Sequence, residues 1–171
     1  MFEKIVSGGR TGADRAALDF AIKHGIPHGG WGPKGRLAED GPLPKRYKLA
    51  ESPTTSDQRQ TEQNVLGSDG TLIVSHGRLT DGAAHARMTA KKHNRPVLAI
   101  ELSTDSVPQA SRKITTWLDE NNIQVLYVTG PRALQDAKIY RGVKDVLESL
   151  LSSGCSNRVL SARLHVQYSK H

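Results

Sequence analysis

The feature that most constrains this chain is an alternation of short apolar runs with helix-like segments. The runs are nearly continuous in Val, Ile and Leu, without the polar–apolar alternation of a half-exposed strand. Strands of that kind are buried on both faces, which is typical of parallel sheets covered by helices. The pattern therefore predicts an α/β fold with a mainly parallel central sheet. Predicted strands occupy 5–6, 71–74, 96–102 and 123–128, and predicted helices occupy 12–24, 82–93, 107–121 and 139–151.

A segment rich in glycine and proline follows the first predicted helix. Residues 27–44 hold no regular element of any length, and loops that long in compact domains are usually functional. After it, residues 47–51 are predicted to form a short strand. Thr55 and Gln58 have the spacing of a capping box, which predicts a helix that continues to about Leu66.

Length and composition indicate one domain, 1–151, followed by a basic tail, 152–171. The chain has 171 residues and a formal charge of +7, which favours anionic partners. Aromatic residues make up only 5% of it, so nucleic acid is disfavoured as a partner and the tail is interpreted as a solvated extension. No apolar run approaches the roughly 20 residues that cross a bilayer, and no signal peptide is recognisable. With its single cysteine, Cys155, the chain is predicted to be cytoplasmic.

Three predicted strands end in turns of small residues. The turns are Ser7-Gly8-Gly9, Ser75-His76-Gly77 and Thr129-Gly130-Pro131. The carboxyl ends of parallel strands meet at one edge of the sheet, where α/β proteins bind their ligands. Glycine allows backbone N–H groups close to a ligand, and the start of the next helix favours negative charge. The turns predict a crevice for a phosphate-bearing ligand, although glycines that only permit tight turns would produce the same pattern.

Basic, aromatic and hydroxyl side chains lie in or near these turns. Arg10 and Arg132 are suited to binding phosphate oxygens through two hydrogen bonds each. Trp31 is suited to stacking on a heterocycle in the long loop. Asp14 could bind a ribose hydroxyl or only stabilise the start of its helix. The predicted ligand-binding set is Gly8, Gly9, Arg10, Thr11, Gly12, Asp14, Trp31, Lys34, Arg36, Ser75, His76, Gly77, Thr80, Gly82 and Arg132.

The sequence carries no known metal-binding or catalytic pattern. None of the seven histidines stands in a metal-ligand spacing, so no metal site formed by the protein is predicted. Ser75, His76 and Asp81 have the residue types of a hydrolase triad, but no nucleophile-elbow motif surrounds the serine. No catalytic residue is therefore assigned.

Two long blocks, 7–19 and 25–36, closely resemble the putative molybdenum carrier family, and shorter blocks extend the likeness over about residues 4–151. The resemblance implies a Rossmann-like three-layer sandwich, related to the lonely-guy and DNA-processing proteins. It implies a homo-oligomer, a tetramer or a dimer, that binds molybdenum cofactor (molybdopterin), a phosphorylated pterin with molybdenum. Such a protein would store or protect the cofactor for molybdoenzymes without a reaction of its own, and the metal would arrive with the ligand.

Two departures from the family pattern leave other functions open. Many relatives have Gln at the position of Arg10, and Gly-Gly-Thr at the position of 81–83. The lonely-guy enzymes are phosphoribohydrolases that resemble this chain in fold and carry a catalytic Glu in a glycine-rich turn. In this chain Asp81 would have to take the place of that Glu. A third hypothesis is a sensor that binds a nucleotide such as AMP.

Overall fold

The computed structural model describes residues 1–167, with side chains described for residues 1–154. Strands and helices alternate along most of this length. None of the described helices has both the length and the apolar character needed to cross a bilayer. In chain order the elements are β1 (Lys4–Val6), α1 (Ala13–Lys23), β2 (His28–Gly29), β3 (Trp31–Gly32), a 3-10 turn (Lys34–Arg36), β4 (Leu37–Ala38), β5 (Gly41–Pro42), β6 (Ala50–Glu51), α2 (Asp57–Leu66), β7 (Gly70–Ser75), α3 (Asp81–Lys92), β8 (Val97–Glu101), α4 (Val107–Glu120), β9 (Val125–Thr129) and α5 (Ile139–Gln167).

Five of the strands form one sheet in the order β2-β1-β9-β7-β8, and all of its pairs are parallel. Val6 on β1 lies opposite Gly29 on one side and Tyr127 on the other. On the central strands, Ile73 lies opposite Thr129. The predicted parallel sheet is therefore confirmed. Its topology places the carboxyl ends of β1, β9 and β7 side by side at one edge.

Helices cover both faces of this sheet. Leu72, Val74 and Leu126 point to one face and pack against α1, α4 and α5 in the largest core cluster. Ile73 points to the other face, which α2 and α3 cover, and packs against Ala83. Full burial of each such side chain stabilises the fold by about 1.5–3 kcal/mol. The architecture is a Rossmann-like three-layer sandwich, as expected.

The predicted capping box of Thr55 with Gln58 is wrong. Ser56 caps α2 instead, and its hydroxyl accepts the backbone N–H of Arg59 at 3.3 Å. The hydroxyl of Thr54 accepts the N–H of Ser56 at 3.1 Å and so fixes the turn before the helix. Because three hydroxyl-bearing residues follow one another here, spacing alone could not decide which one caps the helix.

The loop rich in glycine and proline contains only short pieces of structure. Residues 27–44 hold two-residue strands and one 3-10 turn. The strand predicted at 47–51 is limited to Ala50–Glu51, which pairs with Trp31–Gly32. The strand starts later than predicted because residues 44–47 form a turn, in which the N–H of Tyr47 donates to the carbonyl of Pro44 at 3.1 Å.

The last helix begins where the sequence predicts and ends later. It starts at Ile139 and continues past the predicted end at residue 151 to Gln167, into the basic tail. The side chains from residue 155 onwards, and all of residues 168–171, lie outside the described part of the chain. The interpretation of the tail as a solvated extension therefore stays a prediction.

Two glycines allow the loops at the carboxyl edge of the sheet to pack backbone against backbone. Gly12 has a φ of +88°, and a Cβ there would lie 2.5 Å from the carbonyl oxygen of Pro131. A Cβ on Gly130 would lie 2.2 Å from the carbonyl oxygen of Val74. Since backbone atoms cannot move aside cheaply, the contact at Gly12 fixes the β1–α1 loop against the β9–α5 loop, and the contact at Gly130 fixes the β9–α5 loop against β7.

We expect Gly130→Ala to lower the free energy of unfolding by about 1–3 kcal/mol, the usual effect of forcing a methyl group into a packed region. Chemical denaturation followed by circular dichroism measures this change. Gly82→Ala is the matched control, because a Cβ at Gly82 meets nothing within 4 Å and alanine is the better helix former. Equal stability of the two variants would contradict the packing argument.

Candidate ligand-binding cleft

A cleft of about 280 Å³ opens at the edge of the sheet where β1, β9 and β7 end. It is formed by the β1–α1 loop, α2, the start of α3, the end of β9 and the β9–α5 loop. Residues near all three predicted turns therefore meet at one place. The lining consists of Gly8, Arg10, Asp14, Asp57, Gln58, Gln60, Thr61, Asn64, Thr80, Asp81, Gly82, His85, Tyr127, Thr129, Gly130, Arg132 and Gln135.

Two arginines from different loops converge at one side of the cleft. Arg10 follows β1 and Arg132 follows β9, and both contact the same two carboxylates. Asp57 accepts a hydrogen bond from Arg10 with its Oδ1, and its Oδ2 lies 2.7 Å from a guanidinium nitrogen of Arg132. Glu39 lies 3.2 Å from Arg132 and 3.9 Å from Arg10. A guanidinium group binds carboxylate and phosphate with the same fork of N–H donors, so the pair is suited to an oxyanion.

A buried carboxyl group forms another part of the lining. Asp14 is 7% exposed, and its Oδ1 accepts the hydroxyl of Thr129 at 2.8 Å. Burial raises the pKa of Asp14 to about 6, against the opposing effects of the Thr129 hydrogen bond and the charge of Arg10. Its other oxygen lies 2.7 Å from the point that a Cβ on Gly8 would occupy. Glycine at position 8 therefore makes room for this carboxyl group.

Polar residues of α2 form a wall that the sequence analysis did not assign. Gln60 accepts an N–H of Arg10 at 3.1 Å. Asn64 accepts the backbone N–H of Trp31 at 2.8 Å and donates to its carbonyl at 3.1 Å. Both amide side chains are buried. Their spacing of four residues, which places them on one face of the helix, was the available signal, but solvent-facing polar residues show the same spacing.

The first turn of α3 faces the cleft with Thr80, Asp81 and Gly82. The first N–H groups of a helix have no acceptor within the helix and carry partial positive charge, so they favour anions. Tyr127 adds a buried phenol from β9, and burial raises its pKa. The cleft thus combines donors for an anion with acceptors for the N–H groups of a ligand.

Some of the predicted binding residues line this cleft and others do not. Those in the lining are Gly8, Arg10, Asp14, Thr80, Gly82 and Arg132. Those outside the lining are Gly9, Thr11, Gly12, Trp31, Lys34, Arg36, Ser75, His76 and Gly77.

Several residues outside the lining have partners elsewhere. Arg36 donates to the backbone carbonyls of Pro44 and Tyr47 at 3.1 and 3.0 Å, which fixes the long loop. His76 lies 2.6 Å from Asp136. Among the described side chains, no group of three or more His, Cys, Asp or Glu residues is placed to hold a metal ion.

The raised pKa of Asp14 predicts a pH dependence of stability. This carboxyl group titrates near its ordinary value of 3.8 in the unfolded chain and near 6 in the folded protein. The folded state holds the proton more tightly. The contribution of Asp14 to stability is therefore complete at pH values below its pKa in the unfolded chain, and it is lost as the pH rises through its pKa in the folded protein. The free energy of unfolding of the wild type should therefore fall as the pH rises, and we expect Asp14→Asn to make this fall smaller by about 2–3 kcal/mol.

Urea denaturation at several pH values across this range measures the effect. Asp119→Asn, in the exposed last turn of α4, is the control for loss of one carboxylate. Its pH profile should follow that of the wild type. If the profile of Asp14→Asn also runs parallel to the wild type, the perturbed titration of Asp14 is disproved.

Comparisons with known proteins agree with this architecture. The sequence model of the Circularly permutated YpsA SLOG family matches residues 5–151. The crystal structure of a protein named putative molybdenum carrier protein, from Syntrophus aciditrophicus, matches with 53% identity and a TM-score of 0.86, over 88% of this chain and 95% of that one. No curated protein matches significantly. The resemblance seen in the sequence is confirmed, and the chain belongs to the Circularly permutated YpsA SLOG family.

Proposed function

We propose that this protein binds molybdenum cofactor in the cleft and carries it without a reaction of its own. The observation that supports this most is the convergence of Arg10 and Arg132 beside the first turn of α3. A phosphate group is a ligand that guanidinium pairs and helix starts both bind well. The 53% identity to a protein named putative molybdenum carrier protein supports a ligand that contains molybdenum.

The rest of the cleft suits the ring system of such a ligand. Asp14 and Thr129 offer oxygen acceptors for ring N–H groups, and Tyr127 adds a neutral phenol whose pKa is raised further by burial. The volume of about 280 Å³ is at the small end of ordinary ligand sites. A pterin monophosphate, or a mononucleotide such as AMP, therefore fits this cleft better than a dinucleotide form.

Carriage requires partners as well as a ligand. From the family resemblance, the proposal includes a homo-oligomer, a tetramer or a dimer, and delivery of the cofactor to molybdoenzymes. Light scattering of the purified protein measures the first of these, and reconstitution of a cofactor-free molybdoenzyme by the loaded carrier measures the second.

We expect Arg10→Gln and Arg132→Gln each to weaken cofactor binding about 10-fold to 100-fold, because each removes charge-assisted hydrogen bonds to the phosphate. Equilibrium binding of molybdenum cofactor under anaerobic conditions measures the affinity. The rate at which air oxidises the bound cofactor measures its protection, and the wild type should slow that oxidation.

Arg141→Gln is the matched control for these variants. Arg141 is on α5, its side chain is 84% exposed, and it pairs with Asp145 one turn further along the same helix. Its loss changes the net charge equally and should leave binding unchanged. A wild-type protein that neither binds nor protects the cofactor would rule the proposed function out.

A second candidate function is hydrolysis of a nucleoside monophosphate. The observation that favours it is the position of Asp81, which lines the same cleft beside Thr80 and Gly82. That turn matches the one in which the phosphoribohydrolases, which this chain resembles in fold, carry their catalytic Glu.

If this enzyme function is correct, the wild type releases free base from a nucleoside monophosphate and Asp81→Asn does not. Chromatography of the released base measures the reaction, and Asp119→Asn should retain wild-type activity. Absence of base release by the wild type over the common nucleoside monophosphates would rule this second function out.

A further inference from the structure

Two carboxylates occupy the guanidinium groups that the proposed function assigns to an anion. Asp57, the first residue of α2, places Oδ1 against Arg10 and Oδ2 2.7 Å from Arg132. Glu39, between β4 and β5, places Oε1 3.2 Å from Arg132 and 3.9 Å from Arg10. Two positive and two negative charges therefore balance within one cluster.

Glu39 also holds the loop that follows β1. Its Oε2 accepts the backbone N–H of Thr11 at 3.2 Å. Loop N–H groups ahead of a helix are donors that commonly meet phosphate oxygens. One carboxylate thus occupies both kinds of donor, guanidinium and backbone N–H, that an oxyanion ligand would use.

We propose that Glu39 and Asp57 are internal counter-ions, which leave the two arginines when the ligand binds and so set the affinity of the cleft for oxyanions. This inference rests on the proposed function. Asp57 already spans both guanidinium groups with separate oxygens, so the incoming group has to present at least two oxygens as well. A phosphate monoester or a tetrahedral metal oxyanion meets that requirement, and a halide ion does not.

The surroundings favour exchange over a permanent ion pair. The side chain of Asp57 is 55% exposed at the start of a helix, so after displacement it is hydrated again at little cost. Arg10 is only 18% exposed, and Gln60 accepts one of its N–H groups at 3.1 Å. The guanidinium group therefore stays in place while its counter-ion leaves. When the ligand departs, the carboxylates compensate the arginine charges again, which favours release from a carrier.

Calorimetric titration of the full chain with inorganic phosphate tests the exchange, with molybdate as a second probe. We expect Glu39→Gln and Asp57→Asn to bind phosphate about threefold to tenfold more tightly than the wild type, because each removes a competitor that makes two ion pairs of surface strength, one to each arginine. Asp40→Asn is the matched control, since it removes the adjacent carboxylate, which pairs with Arg15 at 2.9 Å. It should change the affinity by less than about twofold in physiological salt.

A nuclear magnetic resonance titration follows the displacement directly. Phosphate should shift the Thr11 amide signal in the wild type and in Asp40→Asn, because the hydrogen bond to Glu39 breaks. Thermal unfolding verifies that each variant is folded, and each carboxylate variant is a separate test of the proposal. If neither variant binds phosphate more tightly than Asp40→Asn, or if the Thr11 signal stays unchanged at saturation, the counter-ion role is overturned.

The same titrations separate this inference from the proposed function. Loss of phosphate binding in Arg10→Gln, with wild-type affinity in Glu39→Gln and Asp57→Asn, rejects only the counter-ion role. Equal phosphate binding by the wild type and Arg10→Gln rejects the proposed site itself, and the inference with it.

Discussion

The hydrogen bond between Asp14 and Thr129 joins the two parts of the fold on which the cleft depends. It connects the start of α1 to the end of β9 at 2.8 Å. Beside it, Gly12 lies against the backbone of Pro131, and the N–H of Ala13 donates to the Pro131 carbonyl at 3.1 Å. The contact is possible because neighbouring parallel strands end at the same edge. It buries a carboxyl group at a free-energy cost, which appears as the raised pKa of Asp14.

The charge of the cleft differs from the charge of the chain. The protein carries a formal charge of +7, yet the lining contains three carboxylates, Asp14, Asp57 and Asp81, and two arginines, Arg10 and Arg132. A general positive field therefore does not explain how an anion would bind here. Defined hydrogen bonds from the guanidinium groups, together with displacement of their counter-ions, explain it better. The same arrangement keeps the ligand-free cleft from holding two uncompensated cations.

The elements of the fold could be predicted where a local pattern decides them. β7 contains the uninterrupted apolar run 72–74, and its residues alternate between two buried faces, as Leu72 and Ile73 show. The cap of α2 could not be predicted, because Ser56 stands in a row of three hydroxyl-bearing residues that are all able to cap a helix. The contribution of α2 to the cleft was missed for a related reason. Gln60 and Asn64 become recognisable as buried only after the helix is packed on the sheet.

The sequence by itself determined the order of strands and helices, and hence the edge at which the glycine-rich turns meet. The order of the elements depends on hydrophobic periodicity, which a few neighbouring residues decide. The edge follows from it, because the carboxyl ends of parallel strands always meet at the same edge of a sheet. Only the tertiary structure decided which polar groups meet there. Arg36 and Arg132 both belong to loops rich in glycine or proline. Arg36 nevertheless anchors its loop by donating to backbone carbonyls, whereas Arg132 shares the carboxylate of Asp57 with Arg10. Hydrogen bonds and ion pairs depend on separation in space, so partners far apart along the chain are settled by packing.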